Sequence, residues 1–263
     1  MKYPNGIRAF LDAKADYYEQ PSFIADDPIS IPHRFTKQQD IEIAGFFAAI
    51  LAWGNRKSII QSCSRLLAWM DNAPYDFIMN FEEDDLSPFM SFAHRTFNAI
   101  DLYHFFDFLK YHYGYLGEPS LQTAFSRYMK SDDMTIEKAL IGFHDDFFDE
   151  EVFADYPRRT RKHIATPAKK SACKRLNMFL RWMVRSNRRG VDFGLWENIS
   201  PKQLACPLDL HVARVARHFE LLHRPGNDWL AALELTSRLR MLDEDDPVKY
   251  DYALFGLGVV EKF

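Results

Sequence analysis

Cysteine is scarce: Cys63, Cys173 and Cys206 are the three in the chain, odd in number and far apart. That usage fits reduced thiols in a cytoplasm. It excludes a zinc ribbon or a four-cysteine iron–sulfur site built from this chain alone. Long apolar runs are missing too, and none approaches the length of a membrane span. The opening "MKYPNGIRAFLDAKADYY" carries charges where a signal peptide needs an apolar region, so it does not read as one. There is no Ser-His-Asp signature and no P-loop. The one Gly-x-Gly, in "FGLGVV", lies at the very C-terminus with no following helix to hold a phosphate. Strand-like alternation, internal repeats and low-complexity linkers are also lacking, which argues against sandwiches, barrels and solenoids.

What is there is apolar, aromatic and helically spaced. Hydrophobic residues make up 47% of 263, enough for a sizeable core, and 23 are Phe. "DIEIAGFFAAILAWGN" reads as a buried helix from near Asp40 to a stop at Gly54-Asn55. "RKSIIQSCSRLLAWMDNAP" is an amphipathic successor, stopped by Asn72 and Pro74. The same spacing continues in "DLYHFFDFLKYHYG", "SLQTAFSRYMK", "TIEKALIGFHDDFFDEE", "SACKRLNMFLRWMVRS", "DLHVARVARHFELL", "DWLAALELTSRLRML" and "PVKYDYALFGLGVVEKF", with Pro247 at the first position of the last helix. The expectation is an all-α protein of about ten helices. It divides into an N-terminal extension (1–39), a first helical lobe (40–155), and a segment carrying a basic helix, an aspartate-capped helix and a closing helix (156–263).

The formal charge of −4 hides an uneven distribution. Between Tyr156 and Gly190 stand Arg158, Arg159, Arg161, Lys162, Lys169, Lys170, Lys174, Arg175, Arg181, Arg185, Arg188 and Arg189, with no acid among them. Acids gather in "FEEDDL", "SDDM", "HDDFFDEE" and "LDEDDP". One concentrated basic segment in an acidic chain is a candidate phosphate surface, against the plainer reading of a solvated basic face.

Asp209 is the most pointed single residue. In "CPLDLHVARVARHFELL" it stands where a helix N-cap belongs, ahead of the buried stripe Val212, Val215, Ala216, Phe219 and Leu222. The segment resembles Val-Asp-Thr-His-Val-x-Arg-Val of the helix-hairpin-helix DNA glycosylase superfamily. The match runs through Leu208, Asp209, His211, Val212, Arg214 and Val215, with Arg217 and Leu221 beyond it. Leu210 stands where threonine is usual, and Phe219-Glu220 where Leu-Gly is usual. As a whole the chain looks closest to an uncharacterised bacterial family of unknown function, itself distantly similar to these glycosylases and nearest their archaeal branch acting on 8-oxoguanine.

The resemblance implies a two-lobed helical architecture, a duplex DNA partner bearing a damaged base, no cofactor, no membrane and a monomer. It implies that Asp209 is the catalytic carboxylate and that a lysine before it forms a Schiff base with the sugar. Lys174 is that lysine when the hairpin is overlaid with a shift. A gapless overlay selects Ala172, and Lys170 is a second choice. The family's Leu-Pro-Gly-Val-Gly hairpin reads here "TPAKKSACK": Pro167 is present and neither glycine is.

Phosphate contacts are expected from Arg158, Arg159, Lys169, Lys170, Arg175, Arg181 and Arg185. Asn55 or Arg56 would fill the gap left by a flipped base, and Trp53 and Phe255 would wall its pocket. The plainer reading of the Trp53-Gly54-Asn55 turn is a helix C-cap, with Gly54 or Asn55 left-handed. Two alternatives stand beside the glycosylase: a non-enzymatic nucleic-acid- or protein-binding member of the same fold, and an all-α metal-dependent hydrolase built on His144, Asp145, Asp146, Asp149, Glu150 and Glu151.

Overall fold

A computed structural model of the chain describes residues 6–186 and 188–263. The α-helices are α1 (Gly6–Tyr18), α2 (Gln38–Ile50), α3 (Arg56–Ala68), α4 (Pro74–Asn80), α5 (Ala99–Lys110), α6 (Thr123–Ser126), α7 (Glu137–Phe147), α8 (Lys174–Val184), α9 (Leu210–His218), α10 (Trp229–Arg240) and α11 (Tyr250–Val259). The described strands are one two-residue pair, β1 (Ala93–His94) and β2 (Phe97–Asn98), so the chain is all-α in class. Among the described residues no helix is long and apolar enough to cross a membrane.

Two compact units divide the chain. The C-terminal unit comprises Met1–Ile24, Met129–Lys138 and Thr166–Phe263; the central unit comprises Ala25–Tyr128 and Ala139–Ala165. Thus the described part of the N-terminal extension is split between them, and the basic segment changes unit after Ala165.

The central unit is organised around α2, which is buried from Ile41 to Ile50. Burial on every face explains its unbroken apolar sequence. Phe46 stacks on Phe105 of α5 and meets Phe143 of α7 edge-on. Phe125 of α6 stacks on Phe143 at 4.1 Å. Such pairs add about 0.5–1.5 kcal/mol beyond their area burial. A buried carboxylate, Glu42, interrupts this core. Glu42 accepts from the Tyr113 hydroxyl at 2.7 Å, the Ser120 hydroxyl at 2.6 Å, the Leu121 N–H at 2.9 Å and the Gln38 amide at 3.0 Å. A buried carboxylate persists where its lone pairs are this fully used.

The C-terminal unit packs α11 against α1 and α9. Gly256 permits the first contact, since a Cβ there would lie 2.3 Å from the Tyr18 ring. Gly258 permits the second, its Cβ position being 3.1 Å from the His211 carbonyl oxygen. The C-terminal Gly-x-Gly is therefore a packing device between helices. Around α8 the unit holds a buried charge network. Arg185 bonds Asp192 at 2.5 Å, Glu19 at 2.8 Å and Asp246 at 2.8 Å. Arg181 pairs with Asp251 and lies over the Tyr252 ring at 4.2 Å. The Tyr252 hydroxyl donates to Asp192 at 2.9 Å.

Several helices are shorter than their spacing predicts. "SLQTAFSRYMK" yields the four-residue α6 alone, and α5 ends in a π-helical turn over Tyr111–Tyr115. Asp71 and Asn72 are both left-handed after α3. Pro247 opens a short 3₁₀ turn ahead of α11.

Candidate functional site

The segment leading into α8 turns sharply. Thr166 accepts from the Ala168 N–H at 3.3 Å and starts a 3₁₀ turn over Pro167–Lys169, which ends on Lys170 in the left-handed region (φ 61°). Cys173, the N-cap of α8, is left-handed as well (φ 50°), and Ser171 accepts its N–H at 3.2 Å. An isolated bridge between Ser171 and Asp228, with the Trp229 N–H on the Lys170 carbonyl at 3.1 Å, ties this turn to the start of α10. Lys170 lies three residues after Pro167, the place of the second glycine in a Leu-Pro-Gly-Val-Gly hairpin. The backbone there has the conformation glycine favours, held by a lysine at a cost of about 1 kcal/mol or more.

Lys174 is the first residue of α8. Its Nζ stands 3.9 Å from Asp209 Oδ2, with the two side chains 28% and 23% exposed. Asp209 caps α9 through its other oxygen: Oδ1 accepts from the His211 and Val212 N–H groups, each at 2.9 Å. One carboxylate thus fixes a helix start and faces an amine. The Lys174–Asp209 separation is an ion-pair distance that leaves both head groups open to solvent. Leu210, the next residue, is 69% exposed.

The arginines of α9 hold the chain around this helix. Arg214 donates to the carbonyls of Gly258 and Phe263, each at 2.8 Å. Arg217 donates to the carbonyls of Arg224, Pro225 and Gly226 and to the Asn227 side chain. Behind the pair lies a carboxylate that the sequence reading passed over. Burial raises the Asp251 carboxyl to about 6, Asp209 adds to the rise, and Arg181 and Lys174 oppose it. The one signal for it was an acid in the first turn of an otherwise apolar helix. Burial likewise pushes the Cys206 thiol well up, with Asp251 adding to the rise, which leaves it unreactive.

The expected phosphate contacts separate into distinct environments. Lys169 and Lys170 are exposed, Lys174 and Arg175 half-buried. Burial draws the Arg175 guanidinium down to about 10. Arg181 and Arg185 do not fit the phosphate face, being only 5% and 4% exposed within their carboxylate network. Arg181 lies on α8 and Arg185 at its C-cap, both buried, and their charges persist because opposite charges surround them. Arg158 and Arg159 belong to the central unit, and Arg159 bonds the Thr96 carbonyl at 2.8 Å.

Trp53, Asn55 and Arg56 also belong to the central unit. The turn is not a C-cap of α2. Asn55 has extended backbone and N-caps α3, accepting from the Lys57 N–H at 2.9 Å, while Gly54 alone has positive φ (115°). Trp53 is 50% exposed. Phe255, in the C-terminal unit, is half-buried and edge-on to Phe23 at 6.4 Å.

In the acidic middle, Asp146 accepts from Tyr128, His144 contacts Asp145 at 3.1 Å, and Glu150 faces Arg161 at 3.5 Å. Among the described residues no three His, Cys, Asp or Glu side chains gather in a group that could hold a metal ion.

Residues 27–260 match a family model described as "Protein of unknown function (DUF2400)", and the chain belongs to that family. No curated protein matches the chain, and no solved structure does.

Proposed function

We propose that this protein is a DNA glycosylase of the helix-hairpin-helix kind, acting on a damaged base such as 8-oxoguanine in cytoplasmic DNA. The observation that supports this reading is the Lys174 amine 3.9 Å from the free oxygen of Asp209. The other oxygen, held by two backbone N–H groups, keeps the carboxylate from swinging away. Breaking an N-glycosidic bond builds positive charge on the sugar, which a fixed carboxylate stabilises. The Lys174 nitrogen forms a bond to C1′ as the base leaves with the bonding electron pair. One amine proton passes to Asp209 Oδ2 and on to O4′ as the C1′–O4′ bond opens with its electron pair on that oxygen; the second goes to the expelled base anion, which leaves a neutral imine. Lys169 and Lys170, exposed on the turn before the nucleophile, are the cations placed to meet a phosphate.

Borohydride trapping on duplexes carrying 8-oxoguanine, uracil or an abasic site tests this. Wild type forms a covalent adduct on at least one of them, and Lys174→Gln forms none. Adduct formation undiminished by Lys174→Gln contradicts the assignment.

A second reading is a non-enzymatic nucleic-acid-binding member of the fold. It is favoured by the lysine and cysteine side chains at the two left-handed positions before α8, where a hairpin would present bare backbone to a phosphate. On that reading Lys174→Gln alters binding modestly and wild type forms no adduct.

A further inference from the structure

The β1–β2 hairpin of the central unit gathers arginines that lie far apart in sequence. Ala93 pairs with Asn98 and His94 with Phe97, leaving Arg95-Thr96 as a two-residue tip with Arg95 left-handed (φ 57°). The Arg95 guanidinium lies against the bare backbone of Gly54, where a Cβ would be 2.6 Å from Nη2 and 2.8 Å from Nε. Arg65, from α3, donates to the Ala93 carbonyl at 3.4 Å. Arg159 donates to the Thr96 carbonyl at 2.8 Å. The hairpin's own guanidinium is thus joined by two more from separate segments. All three residues are exposed.

The hairpin is itself anchored. His94, buried, places Nδ1 2.9 Å from the Ser62 hydroxyl and Nε2 3.3 Å from the Trp53 carbonyl. That contact sets the hairpin beside Trp53, whose ring is half exposed. Among the described residues the carboxylate paired with these arginines is Asp101, 3.4 Å from Arg159 with its own side chain 0% exposed. Its oxygens are occupied by Thr160 and by the Asn98 N–H. Lys57, exposed in the first turn of α3, adds a fourth cation on the same turn as Gly54.

We propose that this hairpin face binds a nucleic-acid strand, with its phosphates on Arg65, Arg95 and Arg159 and an unstacked base on Trp53. Guanidinium forks match phosphate oxygens bidentately, and an exposed indole is a sequence-tolerant stacking platform. The surface does not depend on the chemistry of Lys174 and Asp209.

The test is fluorescence anisotropy of the full chain with a labelled twenty-nucleotide thymidine strand between 50 and 200 mM salt. Wild type binds with affinity falling steeply as salt rises. The double variant Arg65→Ala/Arg95→Ala binds roughly tenfold more weakly at 100 mM, and its log–log salt slope is smaller by about 1 to 2. Trp53→Ala also loses roughly tenfold, but keeps the wild-type slope, because stacking releases no counterions. Melting temperatures within about 3 °C of wild type verify that both variants are folded. Absence of wild-type binding overturns the proposal, as does wild-type affinity in the folded double variant. Equal displacement by polyaspartate at matched charge overturns it too, since the surface would then be a general acidic-partner site. Lys174→Gln retains the binding; absence of any wild-type adduct, with this binding intact, would count against the glycosylase reading alone.

Discussion

The two units solve the burial problem with opposite materials. The C-terminal unit buries charge: Arg181, Arg185, Asp192, Asp251 and Glu19 are all at most 5% exposed and bonded to one another. The central unit buries rings, with Phe46, Phe105, Phe125, Phe143 and Phe147 in mutual contact. A packed aromatic core tolerates many small adjustments. A charge network fixes one geometry, because a broken pair leaves an uncompensated charge inside. Lys174 and Asp209 stand on the starts of two helices in the unit built that way, and rigid placement is what a two-residue chemistry needs.

The comparison can be broken most forcefully at Arg185. Arg185→Ala removes the cation shared by the buried Glu19 and Asp192 and should cost about 3–5 kcal/mol in urea unfolding. In the central unit Glu42→Ala strands the Tyr113 and Ser120 hydroxyls and the Leu121 N–H; a cost of about 3 kcal/mol is expected. If Glu42→Ala proves as tolerable as a surface change, that buried carboxylate is not structural. Gly256→Ala drives a methyl into the Tyr18 ring and should cost about 1–3 kcal/mol, lowering the melting temperature while leaving α9 and its Asp209 cap in place.

The smallest effects are in pH and differ in sign between the units. Burial lowers the pKa of His94, His104 and His112 in the central unit below the ordinary 6.5. The unfolded chain therefore takes up protons first. Stability present above about 6.5 is lost as pH falls through the folded values, at up to about 1.4 kcal/mol per pH unit for each group. Asp251 in the C-terminal unit does the reverse. Its carboxyl sits at about 6 against 3.8 for the free group, so its contribution is complete below 3.8 and lost as pH rises to 6. Urea midpoints at pH 4.5 and 6.5 measure both. Asp251→Asn should remove the rising-pH loss and leave the histidine-driven loss on acidification unchanged.

Legibility in the sequence followed how local each signal was. Asp209 could be recognised as an N-cap because its partners, His211 and Val212, are two and three residues away. The buried α2 was equally plain from its unbroken apolar run. Arg181 and Arg185 looked like phosphate ligands because their neighbours in sequence are basic. Their actual partners are Glu19, Asp192, Asp246 and Asp251, most of them dozens of positions distant, and no window along the chain contains that information. The hairpin surface was hidden for the same reason: Arg65, Arg95 and Arg159 share no segment, and a two-residue strand has no period to detect. The left-handed positions of Lys170 and Cys173 hold no glycine to announce them; Ser171 within the turn and Asp228 from outside it hold the backbone there.

The central claim is that the Lys174 amine, facing Asp209, attacks the sugar. Its most direct test is peptide mapping by mass spectrometry of the wild-type chain after borohydride reduction on damaged duplex DNA. The account predicts the reduced adduct on Lys174. An adduct on Lys170 or any other lysine, with Lys174 unmodified, would contradict it.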